Sequence, residues 1–138
     1  MTVSVTSIIR FASAQSPVES YQVAPEKRIA GNPTQQLQNH YSSPCNQFHS
    51  GIWQSESGAW KINYTEYEYC EILEGTSVIT DLEGQSQTFS VGDRFIIPAG
   101  FQGVWQVVTP VARCMSSSNK THSNTEVHFA SMNKVKVS

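Results

Sequence analysis

The sequence predicts an all-β domain, a sandwich or barrel, on three observations. Val and Ile together number 22 against only 3 Leu in 138 residues, and branched side chains pack well on a pleated surface. From Gly51 onward, short apolar segments recur at close intervals with Gly- and Pro-containing turns between them, the spacing of a β-sandwich or barrel. No amphipathic helical period of useful length interrupts them.

Composition narrows the function classes. A chain of 15.3 kDa is one domain, large enough to bury a core. Charged residues make up 14% of the chain, against ~25% in an average soluble domain. Ser, Thr, Asn and Gln supply 47 residues, so most of the polarity is uncharged. The net charge of −2 comes with no basic block. Nucleic acid as a partner is therefore not expected, because clustered cations are needed to displace counterions from phosphates. Membrane attachment has no electrostatic basis, and no apolar run approaches a membrane span. Cys45, Cys70 and Cys114 are odd in number and widely spaced, with no C-x-x-C. This excludes a zinc knuckle or a thioredoxin-like motif and speaks against a disulfide framework, so a cytoplasmic location is expected. Ala12-Ser13-Ala14 resembles a signal cleavage site, but Arg10 stands where the apolar segment should be, so the N-terminus is read as structure.

The elements follow in chain order. Thr2–Ile9 alternates in part and predicts a strand, which must pair with its own domain or with a second subunit. Residues 13–50 carry Pro17, Pro25, Pro33 and Pro44 and predict irregular chain, with a short helix over Thr34–Leu37 and a strand near Tyr21–Ala24. Eight strands are then expected: Gly51–Glu56, Ala59–Tyr64, Glu68–Leu73, Thr76–Leu82, Ser86–Phe89, Arg94–Pro98, Phe101–Val108 and Val111–Ser117. Turn chemistry separates them at Ser57-Gly58, Glu74-Gly75, Glu83-Gly84, Gly92-Asp93, Ala99-Gly100 and Thr109-Pro110. Residues 116–126 read as a surface connection, and Val127–Val137 as a last strand. The expected division is an N-terminal extension over 1–50, a core over 51–117, and a linker with a terminal strand over 118–138.

Two motif halves lie in the core. Gly92-Asp93-Arg94-Phe95-Ile96-Ile97-Pro98-Ala99-Gly100 has a glycine, five residues, a proline, one residue and a glycine. Glu68 and Gly75 stand seven apart. This pattern resembles the cupins, whose fold is a double-stranded β-helix, a jelly-roll barrel. Gly51-Ile52-Trp53, Ser57-Gly58, Tyr64, Glu68-Tyr69-Cys70, Leu73-Glu74-Gly75 and Pro98 to Trp105 resemble more narrowly the small stand-alone cupins related to the cupin domain of ureidoglycine aminohydrolases. The resemblance covers about half the chain and implies a single-domain cupin barrel with an irregular N-terminal segment.

Enzymatic cupins generally bind a metal through three histidines and a glutamate. On this chain the histidine positions of the first half fall on Ile62 and Tyr64, and that of the second half on Gly103. The alternative spacing gives Lys61 and Asn63. Only Glu68 survives as a donor, whereas zinc and similar ions take three or four protein ligands. His40, His49, His122 and His128 all lie outside the motif halves. No metal and no cofactor are expected.

Trp53, Trp60, Tyr64, Glu68, Cys70, Phe101 and Trp105 are expected to point inward as an aromatic-lined pocket around one carboxylate. Period two places Glu68, Cys70 and Ile72 on one face. Burial should raise the pKa of Glu68 and suit it, with Tyr64, for acid–base chemistry. The same pair equally suits a structural hydrogen bond. Cys70 reads as a small core hydrophobe because no cation is evident nearby, and the three tryptophans read as core filling more than ligand stacking. Arg94 is expected to pair with an acid. Glu66, Glu68, Glu71, Glu74, Asp81 and Glu83 span a stretch without Lys or Arg. They read as solvated strand edges and turns, and alternatively as an acidic rim for a cationic ligand.

The expected function is a metal-free cupin that binds a small-molecule metabolite. One alternative is a small cupin enzyme, either ureidoglycine aminohydrolase-like or using Glu68 as acid or base. Another is a structural or regulatory cupin whose barrel is filled by its own aromatics. The resemblance also implies a homodimer, with Thr2–Ile9 or Val127–Val137 as the shared strand.

Overall fold

The computed structural model describes residues 3–13 and 16–118. Nine strands form one curled antiparallel sheet: β1 Glu19–Gln22, β2 Arg28–Ala30, β3 Thr34–Ser42, β4 Phe48–Ser55, β5 Gly58–Asn63, β6 Tyr67–Asp81, β7 Ser86–Phe89, β8 Arg94–Ile97 and β9 Gln102–Ser118. No α-helix occurs among the described residues.

The two long strands organise the rest. β6 and β9 pair along nearly their whole lengths, from Tyr67 opposite Ser118 to Asp81 opposite Gly103. Their register shifts between Ile72 and Ser77. There Gly75 adopts φ 79° and its α-carbon faces the Pro110 carbonyl oxygen so closely that a Cβ would collide with it. Two of the expected turns, Glu74-Gly75 and Thr109-Pro110, are therefore not chain reversals. They are facing bulges that bend two continuous strands, with the Thr76 amide donating to Thr109 Oγ1 at 3.0 Å.

On one side of this bend, β4 and β8 flank the paired halves of β9 and β6, with β3 and β1 beyond β4. On the other side, β5 and β7 flank them, with β2 beyond β5. Trp53 of β4 meets Trp60 of β5 and Trp105 of β9 edge-on, at centroid distances of 6.0 and 5.6 Å. The two halves therefore close on a shared core of Leu37, Trp53, Trp60, Ile62, Cys70, Ile72, Trp105 and Met115. This is the all-β jelly-roll curl that the motif halves imply.

The N-terminal third departs from expectation. Residues 3–10 are exposed and contain a 3-10 turn over Val5–Ser7, not a strand. The Thr6 amide donates to Ser4 Oγ at 3.3 Å, which gives the chain a local alternative to a ladder. Thr34–Leu37 is the start of the nine-residue β3, not a helix, and the expected strand near Tyr21–Ala24 lies at Glu19–Gln22. β1 to β3 all join the main sheet, and β4 runs across residue 50. Residues 116–118 belong to β9. The expected strand Val127–Val137 lies outside the described residues.

Candidate functional site

The interior brings six of the seven expected pocket residues together. Trp53, Trp60, Tyr64, Glu68, Cys70 and Trp105 are all fully buried, and Phe101 is half-buried. Alternation along β6 turns Glu68, Cys70 and Ile72 inward, as period two requires. Tyr64 follows β5, pinned by backbone bonds to the loop after Pro98: its amide donates to Phe101 O at 2.8 Å and its carbonyl accepts from Gly100 N at 2.7 Å.

A residue outside the expected set stands at the centre. Arg113 of β9 is fully buried, and its Nη1 lies 2.6 Å from Glu68 Oε1 in an ion pair with no solvent contact on either side chain. The same oxygen accepts from the Tyr64 hydroxyl at 2.7 Å and the Cys70 thiol at 3.4 Å. Arg113 Nη1 also lies 2.9 Å from Cys70 Sγ. The expectation that Cys70 has no cation nearby is thus corrected. Cys70 is a small buried residue, but a guanidinium touches it. Arg113 Cζ sits 4.5 Å from the Trp53 ring centroid and 4.7 Å from that of Trp105. Each such contact contributes about 2 kcal/mol once water is excluded.

Electrostatics fix the charge of this centre. Burial, the largest single influence, would lower the pKa of Arg113, but Glu68, Cys70 and Tyr64 together outweigh it and raise the pKa, so the guanidinium stays protonated. Burial pushes the Tyr64 phenol well above its ordinary value, and the charge of Glu68 pushes it further. Burial raises Tyr21 as well; its hydroxyl accepts from Trp53 Nε1 at 3.2 Å.

A tyrosine whose folded pKa is raised contributes fully below the unfolded value of about 10. Above it, the unfolded chain ionises while the folded phenol does not. Stability then falls by about 1.4 kcal/mol per pH unit for each such residue until the folded pKa is reached. Denaturant titrations at rising alkaline pH should show this slope doubled, for Tyr21 and Tyr64 together. Tyrosinate absorbance should rise in step with unfolding for two of the five tyrosines. Ordinary titration of all five in folded protein would contradict the arrangement.

The residues do not fit the cupin metal. Ile62 is apolar and faces Gly103 across the β5–β9 ladder. A Cβ at Gly103 would collide with the Thr80 carbonyl oxygen, so no imidazole can project from there. Tyr64 spends its hydroxyl on Glu68, and Arg113 covers Glu68 Oε1. Among the described residues, no three His, Cys, Asp or Glu side chains gather as metal donors. His49 bonds Ser42 Oγ at 2.9 Å, and His40 stacks on Phe11 at 4.8 Å. His122 and His128 lie outside the described residues.

Lys61 points outward. Arg94 lies in register opposite Glu71. Of the acidic run, Glu66 and Glu68 are buried, whereas Glu74 and Glu83 are exposed. The three cysteines are free thiols. No helix among the described residues is long and apolar enough to cross a membrane.

A groove of about 310 Å³ opens beside this filled interior, over β6, β7 and β8. Phe89, Phe95, Ile97 and Phe101 form its apolar walls, and Asp81 and Gln87 add polar groups. Phe89 and Phe95 stack at 3.9 Å. Along the ladders that carry its walls, Glu68 is in register with Ile97, and Trp105 with Ile79. Of the seven expected pocket residues, Phe101 lines this groove.

Comparison with known proteins agrees with the geometry. The EutQ-like cupin domain matches residues 42–114. No curated protein matches the chain. Among solved structures, a protein of unknown function from Pseudomonas syringae pv. tomato superposes with a TM-score of 0.68 at 18% identity, over 75% of this chain and 45% of that one. The present chain thus spans less than half of that protein's length. The EutQ protein of Clostridium difficile superposes with a TM-score of 0.58 at 17% identity, over 72% of this chain and 81% of its own. A cupin superfamily protein from Desulfitobacterium hafniense gives 0.54 at 14% identity, over 62% and 78%. These likenesses establish the fold, and the match over residues 42–114 places this chain in the EutQ-like cupin domain family.

Proposed function

We propose that this cupin binds a small, partly apolar molecule in the groove walled by Phe89, Phe95 and Phe101, without a metal. The observation that carries the reading is the groove itself. Its volume of about 310 Å³ lies at the small end of the range for ligand sites, and its apolar walls with a few polar groups match their usual make-up. The interior supports binding over catalysis. Glu68 has no solvent contact, and one of its oxygens takes three donors. This favours the structural role for Glu68 and Tyr64 over acid–base chemistry on a substrate. The resemblance to the cupin domain of ureidoglycine aminohydrolases bears on fold alone, since that reaction relies on a metal that Ile62, Tyr64, Glu68 and Gly103 do not suit.

Anilinonaphthalene sulfonate, a fluorescent probe of apolar clefts, tests the groove. The probe should bind saturably at one site, and Phe95→Ser should weaken it about tenfold, the loss of one aromatic contact. Equal binding by the variant would refute the groove as the site. A second reading has its own observation: the six fully buried pocket residues fill the barrel, as a purely structural cupin requires. Absence of any saturable site would favour that reading.

A further inference from the structure

We infer that Arg113 is the resident cation of this barrel: its guanidinium occupies the place of a divalent metal on Glu68 and Cys70, and a metal can take that place only once residue 113 supplies a donor instead of a cation. The inference does not depend on the groove. Glu68 is the one donor of the cupin metal set that this chain keeps. A carboxylate with no solvent contact needs a positive partner, because the penalty for burying it alone is several kcal/mol. Arg113 Nη1 meets that need at 2.6 Å from Glu68 Oε1 and 2.9 Å from Cys70 Sγ. One nitrogen thus touches two side chains that are both metal-ligand types, a carboxylate and a thiol.

The remainder of the guanidinium supports the same view. Arg113 Nε and Nη2 make no hydrogen bond among the described residues. The group is therefore held by its charge and by the Trp53 and Trp105 rings, not by a full set of directional bonds. A compact cation at the Nη1 position would satisfy Glu68 and Cys70 as well, given one further donor from residue 113. Imidazole is shorter than the arginine side chain, and a metal–nitrogen bond of ~2.1 Å makes up the difference in reach. Arg113→His would then complete a carboxylate–thiolate–imidazole set. The Cys70 proton would leave to solvent on binding, since the thiolate is the ligand form.

The test is titration with cobalt(II) chloride, read by the intense visible and thiolate charge-transfer bands of tetrahedral cobalt. Wild type should show no thiolate band, because the guanidinium already occupies the position. Arg113→His should take one equivalent of cobalt, with a thiolate band that disappears in Arg113→His/Cys70→Ser. Affinity should fall at least tenfold in Arg113→His/Glu68→Gln. Arg113→Lys, which keeps a cation, should stay blank. If Arg113→His does not fold alone, refolding with cobalt should restore the near-ultraviolet dichroism of the tryptophans. A wild-type thiolate band that Cys70→Ser abolishes would overturn the inference. So would a folded Arg113→His without metal, or an unfolded one that cobalt does not rescue.

Discussion

Arg113→Met is expected to destabilise the fold by about 3–5 kcal/mol, because it leaves the Glu68 carboxylate buried without its counter-charge. That is a large share of a typical total of about 5–15 kcal/mol. The variant also removes the guanidinium from the Trp53 and Trp105 rings, 4.5 and 4.7 Å away. Glu68→Leu strands the guanidinium in the same way and should cost a similar amount. The double variant Glu68→Leu/Arg113→Met should cost less than either single change, because an apolar pair of similar volume needs no counter-charge. Urea unfolding of the four proteins gives the coupling directly, with at least about 2 kcal/mol expected between the two positions. Additive costs would mean that the two side chains do not act as a pair.

Gly103→Ala is expected to cost about 3 kcal/mol, the upper part of the usual range for overpacking. The obstacle is backbone. An added Cβ would run into the Thr80 carbonyl oxygen on the neighbouring β6, which a ladder partner holds in place. A cost of this size lowers the melting temperature by roughly 10 °C in a domain of this length. Gly84→Ala is the control. Gly84 has φ 86° but nothing near its would-be Cβ, so only the backbone conformation opposes the change, at about 1–2 kcal/mol. If thermal unfolding shows Gly103→Ala to be the milder of the two, β6 and β9 are not packed as described.

The barrel itself is legible in the sequence because its signals are local. The glycines of Ser57-Gly58, Glu83-Gly84, Gly92-Asp93 and Ala99-Gly100 mark turns that the structure keeps. Glu74-Gly75 and Thr109-Pro110 carry the same chemistry, yet each bends a continuous strand. A glycine with positive φ serves a turn and a bulge alike, and only the partner strand distinguishes them. β3 escaped detection for a different reason. Gln35 is a fully buried inward position whose Oε1 accepts from Trp53 Nε1 at 3.1 Å, and its polarity masks the alternation.

The candidate site was readable in part. Alternation alone places Trp60, Ile62 and Tyr64 on one face and Glu68, Cys70 and Ile72 on another, and the structure buries all six. Arg113 was missed, although the same rule reaches it. Val111, Arg113, Met115 and Ser117 share a face of β9, and all four are buried. A lone inward carboxylate calls for a cation, and a charged residue in an inward register position is the place to look for one. The groove had no comparable signal. Phe89, Phe95 and Phe101 come from separate segments, and only the pairing of β7 and β8 with β6 brings them together.

Inside this cupin the Arg113 guanidinium neutralises the buried Glu68 carboxylate. A crystal structure from zinc-containing solution, with diffraction recorded at the zinc absorption edge, decides whether a metal displaces it. Flat density for Arg113 should join Glu68 Oε1 and Cys70 Sγ, with no anomalous peak inside the barrel. An anomalous peak within bonding distance of Glu68, with Arg113 displaced from it, would show that a metal and not the guanidinium holds that carboxylate.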